Sequence, residues 1–512
     1  MGKLNGFLLL GFLLLAGVSA SRLAFDDDEF QHAHMAWLLA RGEVPHRDFF
    51  EHHLPLYHGV LAPLTLGTPG PDRILLLRGG NVLLAAGTVL LLSRAIRLWT
   101  GSAGAGVMCW VALSPVFLVK MIEVRPEGFC MFLAAASLCA LGGERKRSVL
   151  AGLLAGAMVM GSQKFVFPAA GLFVLAWMEH GFRGGVRFAV GGAVFPLLIL
   201  AGYAAAGAGP KAWEQLVILN VNWKERFSPA MYAGMLWTHS AVLISFAAAG
   251  LLTRGHTRAK RAAGVLMLAG IAAVLLIPIP FRQTFLMLFP GLALSAAIAW
   301  KALDQAVGIP RIPHKTGRMV LVILGLMPAA YGLGREFETT LEKDLQLMRT
   351  LHARTRGPFF DGRGLMFHRP HVGYYPWLHE GLMLMLDEEE YARETESAIR
   401  ESGFPNVLWD YRIAHMPEAL QTFLRESYVA VEPGPLMVPG IRVDRARLAG
   451  EGITLRLPSP GTWRVTWQGG EVWMNEELLR SGDRFVRDGK PFTITARGFV
   501  REFQIVRVED GL

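Results

Sequence analysis

Over the first 334 residues the apolar positions come in blocks, near 7–20, 74–98, 102–120, 127–142, 148–163, 165–179, 187–208, 233–252, 263–280, 284–300 and 318–334, separated by polar stretches. A helix needs about twenty mainly apolar residues to cross a bilayer. The pattern therefore predicts a polytopic α-helical membrane protein with about eleven transmembrane helices. Two gaps are too long for simple turns, 21–73 and 209–232. Past residue 334 the pattern changes. A charged amphipathic helix over 335–356 leads into a strand-like 364–367, a helix over 388–401, a strand over 407–413, a helix over 417–428 and a strand at 429–431. This alternation predicts a small α/β region over 335–438. Period-two alternation at 453–457, 462–467, 492–496 and 503–508, between Gly, Pro and Asp turns, predicts a β-sandwich-like domain over 439–512.

Composition agrees with a membrane chain. Of 512 residues, 52% are hydrophobic and 18% charged, and the mean hydropathy of +0.34 is too high for a soluble protein of this length. The net charge of +9 does not point to nucleic acid, because the basic residues form no stripe interleaved with aromatics. They collect in alternate loops instead: Arg94 and Arg97; Arg145, Lys146 and Arg147; Arg183 and Arg187; Arg254, Arg258, Lys260 and Arg261; and Lys301, Arg311, Lys315 and Arg318. The intervening loops hold only Lys120 and Arg125, Lys164, and Arg282. Since cations accumulate on the cytoplasmic side, loop 21–73 and everything after 334 are expected outside. Residues 1–20 end in Val18-Ser19-Ala20, which also suits a cleavable signal; a retained first helix, holding the following acids at the membrane, is the expectation. Cys109, Cys130 and Cys139 fall inside spans and read as packing residues, with no CxxC pattern.

Ionisable chemistry concentrates in 26–58, DDDEFQHAHMAWLLARGEVPHRDFFEHHLPLYH. Carboxylates and imidazoles gathered against a bilayer mark a reaction site. Asp28, His32, Met35, Ala36 and Leu39 recur at helical spacing, with Phe30, His34 and Trp37 on a neighbouring face. The spacing predicts an amphipathic helix lying on the membrane surface and ended by Gly42 and Pro45, with Asp28 and His32 one turn apart on one side.

The stretch DEFQHAHMAWLLARGEVPHRDFFEHHLPL resembles the first extracytoplasmic loop of bacterial membrane glycosyltransferases related to protein O-mannosyltransferases and to the lipid A aminoarabinose transferase, which have the GT-C fold. Arg125-Pro126-Glu127, opening a span, resembles the RPD/RPE element of that family. Ser162-Gln163-Lys164 and Arg282-Gln283-Thr284-Phe285 are similar to its later loops, and the resemblance covers about residues 1–334. One position departs from the pattern: an aromatic is expected after Pro45, as in PYRDFF, and this chain has His46.

The resemblance implies a multi-pass protein of the bacterial inner membrane that transfers a sugar from a polyprenyl-phosphate donor to a lipid, glycan or protein acceptor on the outer face. A lipid phosphate is already a good leaving group, so one base suffices where a glycosidase needs two carboxylates. In the family a loop-one acid fills that role, which maps to Asp28, with Glu29 second. The departing phosphate requires fixed positive charge; Arg125, Lys164 and Arg282 are the candidates, with Arg47 behind them. His32, Asp48, His52 and His53 are candidates for sugar or acceptor contact or for a structural role.

Each choice has a plainer competitor. Asp26 and Asp27 read as solvated residues ending a span. His52 and His53 beside Glu51 suit a divalent metal completed by Asp28 or Glu29, but local hydrogen bonding explains them too and the spacing matches no closed metal motif. Arg125 and Lys164 also fit snorkelling at span ends. Trp213, Asn220, Asn222, Trp223, Lys224 and Arg226 suit contact with a sugar or lipid headgroup, or an interfacial aromatic belt. Two other function classes compete: a lipid or glycan transporter or flippase, and a non-catalytic subunit of envelope polysaccharide assembly. Transporters place ionisable groups mid-span, whereas here the acids cluster in a loop, which favours an enzyme.

Overall fold

The computed structural model describes residues 3–67, 70–102, 104–143, 147–305, 314–337, 340–431, 434–443, 452–488, 490–497 and 500–508. Arg145, Lys146 and Arg311 of the expected cytoplasmic set lie outside the described residues. The chain forms two compact units, Met1–Leu66 with Asp72–Glu342, and Gly67–Pro71 with Lys343–Leu512.

The first unit is helical. Helix α1 (Lys3–Ala20) is followed by the two helices of loop one, α2 (Asp27–Ala40) and α3 (Leu56–Thr65), and by α4 (Arg73–Thr100). Helices α5 (Ala105–Ala112) and α6 (Pro115–Ile122) are bent 63° from one another, because Pro115 cannot continue the hydrogen-bond ladder of α5. Next come α7 (Pro126–Gly142), α8 (Ser148–Gly161) and α9 (Val166–Ala205). Short α10 (Gly209–Trp213) and α11 (Leu219–Val221) flank a π turn at Glu214–Ile218. Helices α12 (Ala230–Leu252), α13 (Thr257–Leu276), α14 (Phe289–Gln305) and α15 (His314–Glu336) complete the unit.

Helix α9 doubles back on itself. At Gly181 the backbone takes φ 68° and ψ −173°, and the rings of Phe173 and Phe188 lie 6.1 Å apart. In a straight helix that separation in sequence spans about 22 Å. The two arms correspond to the separate blocks at 165–179 and 187–208. The second arm lies close on α8: a Cβ at Gly152 or Gly156 would collide with the carbonyls of Phe188 or Gly192, the small-xxx-small contact of membrane helices.

Among the described residues, six helical stretches are long and apolar enough to cross a membrane: α4, α9 with its lead-in, α12, α13, α14 with its lead-in, and the stretch carrying α15. The bent pair α5–α6 raises this to seven. The protein is thus a multi-pass membrane protein. The expected count of eleven is reached only by adding the shorter apolar helices α1, α7 and α8 and counting the two arms of α9 separately.

Loop one differs from expectation. Every residue of α2 from Glu29 to Leu38 is buried, so it is an internal helix packed on α3 and α4 rather than one lying on a membrane surface. The polar residues along it, Gln31, His32 and His34, carry groups that hydrogen bonds or ring stacking accommodate inside the protein. The two sets of loop cations also separate. Arg258 meets Glu179 at 2.6 Å and lies over Trp99, and Lys301 Nζ donates to the Thr100 carbonyl at 2.8 Å. Lys120 and Arg125, at the other end of their helices, meet loop one.

The second unit carries α16 (Leu341–Arg354), β1 (Phe359–Asp361), α17 (Glu380–Met383), α18 (Glu388–Glu401), β2 (Asn406–Leu408), α19 (Glu418–Ser427), β3 (Tyr428–Ala430) and β4 (Leu436–Val443). Strands β5 (Ile453–Leu455), β6 (Gly461–Gln468), β7 (Glu471–Met474), β8 (Glu477–Leu479), β9 (Arg484–Arg487), β10 (Phe492–Arg497) and β11 (Arg501–Arg507) follow. One sheet runs β1-β2-β4-β11-β6-β9, with β3 also on β4; the other runs β5-β10-β7-β8. Parallel β1 and β2 are bridged through α18, and Tyr391, Ile399, Leu420 and Leu424 cover them at Phe360 and Val407. Trp463, Val465, Phe503 and Ile505 of the first sheet share a core with Val472, Phe492 and Ile494 of the second, which gives the sandwich its filling. The strand expected over 364–367 is a turn; the chain pairs earlier, at β1. Strand β4 runs through the expected border at 438, pairing with β2 before it, with β3 across it from Met437 to Pro439, and with β11 from Gly440 on.

Candidate active site

The site begins at the N-cap of α2. Asp26 has extended backbone angles, its side chain accepts from the Asp28 amide at 3.1 Å, and the Glu29 side chain accepts from the Asp26 amide at 3.0 Å. This is a capping box. Its two carboxylates also reach other helices. Asp26 meets Lys120 Nζ and Arg125 Nη1, each at 3.1 Å. Glu29 is fully buried and accepts from Arg78 Nη2 at 2.5 Å, Arg78 Nε at 2.8 Å and the Val124 amide at 2.9 Å. Arg78 also donates to the carbonyls of Ala20, Leu23 and Ala24, fixing the exit of α1.

Asp28, one residue before Glu29, sits at the edge of this network with its side chain 29% exposed, and Arg125 Nη2 approaches its Oδ2 to 2.7 Å. Arg125 is extended, the conformation a residue before proline prefers, and Pro126 opens α7. Its Nε, 3.7 Å from Glu127 Oε2, makes no hydrogen bond. Lys120 bonds Glu123 at 2.7 Å, and burial pushes the Glu123 carboxyl up to about 7 despite that cation. Lys164 Nζ lies 3.9 Å from Glu127 Oε1, beyond hydrogen-bond range. Arg282 is engaged by Glu336 at 2.7 Å. Arg47 is half exposed and pairs with its neighbour Asp48 at 2.8 Å, and Asp48 also accepts from the Val44 amide at 2.7 Å, closing a turn.

The imidazoles form a layer beneath. His32 Nδ1 lies 2.9 Å from His58 Nε2, and the His32 and His53 rings are 4.9 Å apart. His53 Nδ1 is 2.7 Å from Glu51 Oε1, which also accepts the amides of His52 and His53 at 2.8 and 2.9 Å. Burial depresses His53 to about 3 and His58 to about 4, and holds His32 well below its ordinary value. These three imidazoles are therefore neutral at pH 7 and add no charge for an anion.

For a metal ion, Glu51, His52 and His53 present one donor atom each within 4.8 Å of one another, and Glu51 Oε2 is buried without a partner. The donor set fits a divalent ion of the zinc type. Glu29 is taken up by Arg78, and Asp28 faces Arg125, so neither expected carboxylate belongs to that group.

Of the residues foreseen from sequence, Asp28 thus meets Arg125, and Arg125 and Lys164 both approach Glu127. Asp26, Lys120, Glu123 and Arg78 are members that sequence reasoning did not select. Two signals were available: a lone arginine inside the apolar run of α4, where ionisable residues rarely stand without purpose, and the alternation Glu123, Arg125, Glu127.

No family model matches the chain, and no curated protein matches it at a significant level. Solved structures do. ArnT from Cupriavidus metallidurans in the apo state is 15% identical, with a TM-score of 0.56 over 84% of this chain and 96% of that one. The chain has the GT-C fold. The likeness extends to the same ArnT bound to undecaprenyl phosphate, 14% identical, with a TM-score of 0.50 over 72% of this chain and 85% of that one. The oligosaccharyltransferase of Archaeoglobus fulgidus tethered with an acceptor peptide is 11% identical, with a TM-score of 0.45 over 83% and 73%. In this GT-C chain the acidic N-cap of α2 and the Arg125 loop between α6 and α7 face one another.

Proposed function

We propose that the protein transfers a sugar from a polyprenyl-phosphate donor to an acceptor nucleophile on the extracytoplasmic face, by a single inverting displacement. The observation that carries the reading is the 2.7 Å approach of Arg125 to Asp28 beside Lys164, within a fold shared with an ArnT solved with undecaprenyl phosphate. Asp28 takes the acceptor proton as the nucleophile attacks the anomeric carbon. Arg125 and Lys164 receive the departing phosphate; Lys164 is the better placed to turn to it, holding no hydrogen bond to Glu127. Arg282 acts from behind its pair with Glu336. Glu29 positions α2 instead of serving as a second base, since its oxygens are occupied. In this reading the chain crosses the membrane eleven times, and loop one and the second unit lie outside. A divalent ion, when bound, belongs to Glu51, His52 and His53 and supplies charge stabilisation.

The test is transfer of labelled sugar from a panel of polyprenyl-phosphate sugars by the purified protein in membranes. Wild type should transfer from one of them, and Asp28→Asn should lose about 10²–10⁴-fold while still binding donor. Transport of labelled lipid without transfer would support a flippase instead.

A further inference from the structure

His46, where the family pattern expects an aromatic, is fully buried and holds φ 68°, a conformation unfavourable to any residue with a Cβ. Its surroundings account for that. Nδ1 lies 2.9 Å from Gln215 Oε1 and Nε2 lies 3.1 Å from the Tyr203 hydroxyl. The pairing selects one tautomer, in which Nδ1–H donates to the amide oxygen and Nε2 accepts from the phenol. The same Gln215 oxygen takes the backbone N–H of Glu51 at 3.3 Å. Five residues on, Asn220 Nδ2 donates to the His52 carbonyl at 3.1 Å, beside Gln163 Nε2 at 2.8 Å. The His52 ring stacks on Trp223 at 5.6 Å.

The partner segment, 209–223, has little apolar grip of its own. Trp213 is 61% exposed and Val221 67%, and the apolar cluster here is small: Tyr203, Ala208 and Ala212 with Val44, Ile199 and Leu216 packed against it. Polar contacts must supply much of the docking, and they converge on Glu51 and His52. Gln215 sits within the π turn, an irregularity that re-aims a side chain and recurs at functional sites. Ordinary loop packing would need neither a strained histidine with both nitrogens engaged nor one amide oxygen shared between His46 and Glu51.

We propose that His46 is a positioning residue: through Gln215 it fastens the 209–223 segment onto loop one, and that segment holds Glu51 and His52 in place for the reaction. This rests on the function proposed above, but its first test does not. Amide hydrogen exchange of the full-length protein should become at least about tenfold faster across 210–223 in His46→Phe, which keeps a ring and removes both nitrogens, with the membrane helices unchanged. Gln215→Leu attacks the latch from the other side and should give the same local pattern. Unchanged exchange in both variants overturns the latch. In the transfer assay each variant should lower kcat about tenfold with donor KM within about twofold, and the double variant should fall no further, because one fastening is lost once. Unchanged kcat, or effects that multiply, overturns the positioning role. Faster exchange with no transfer by wild type leaves the latch standing and removes the enzyme reading.

Discussion

Asp28 and Glu29 are neighbours in sequence with different surroundings. The Asp28 side chain is 29% exposed beside one guanidinium, whereas Glu29 is fully buried between Arg78 and two backbone amides. Removing one partner of a buried pair leaves an uncompensated charge, typically at a cost of about 3–5 kcal/mol. Glu29→Ala should therefore lower the thermal midpoint strongly in detergent, while Asp28→Asn should leave it within a few degrees and act on transfer alone. The buried imidazoles set a pH dependence. Burial holds His53 near 3 and His58 near 4 against an ordinary 6.5. Below about pH 6.5 the unfolded chain binds more protons than the folded one, so their contribution to stability is present above that pH and lost as pH falls. Glu123, raised to about 7, works in the opposite sense over the same range, so the check is a difference: between pH 6.5 and 4 the midpoint of His58→Gln should fall less, relative to its own value at pH 7, than that of wild type. Asp28 was legible because the DE pair is a local motif. The tie between Glu29 and Arg78 was not, because it joins residues 49 apart in sequence and only the fold brings them together.

Among the elements, the apolar blocks were legible and their geometry was not. Hydropathy locates both arms of α9, yet the reversal depends on one glycine at φ 68° that carries no hydropathy signal. The burial of α2 is hidden for a related reason: its period-3.6 pattern suits an interface, but neutral Gln31 and His32 meet partners across loop one. Close contact of α8 with α9 gives a direct prediction. Gly152→Leu forces a side chain into the Phe188 carbonyl, and overpacking of this kind costs about 1–3 kcal/mol or more. It should reduce the yield of folded protein and the thermal midpoint, whereas Gly11→Leu, with open space at its Cβ, should do neither.

For the whole molecule, the second unit reads as two domains in sequence because its pattern changes from mixed α/β to pure period-two alternation near 438. The sheet does not change there. Strand β4 belongs to both halves, so residues 343–438 expressed alone lack the β11 partner and should show no cooperative unfolding, while 343–512 should unfold in one transition, measured by circular dichroism. In the first unit, Asp26 joins elements in a comparable way, capping α2 while gripping Lys120 of α6 and Arg125 ahead of α7. In the proposed reaction a phosphate drawing on Arg125 tugs on that cap and on the first turn that carries Asp28. In that proposal donor arrival reaches Asp28 as a pull along the backbone of the first turn of α2.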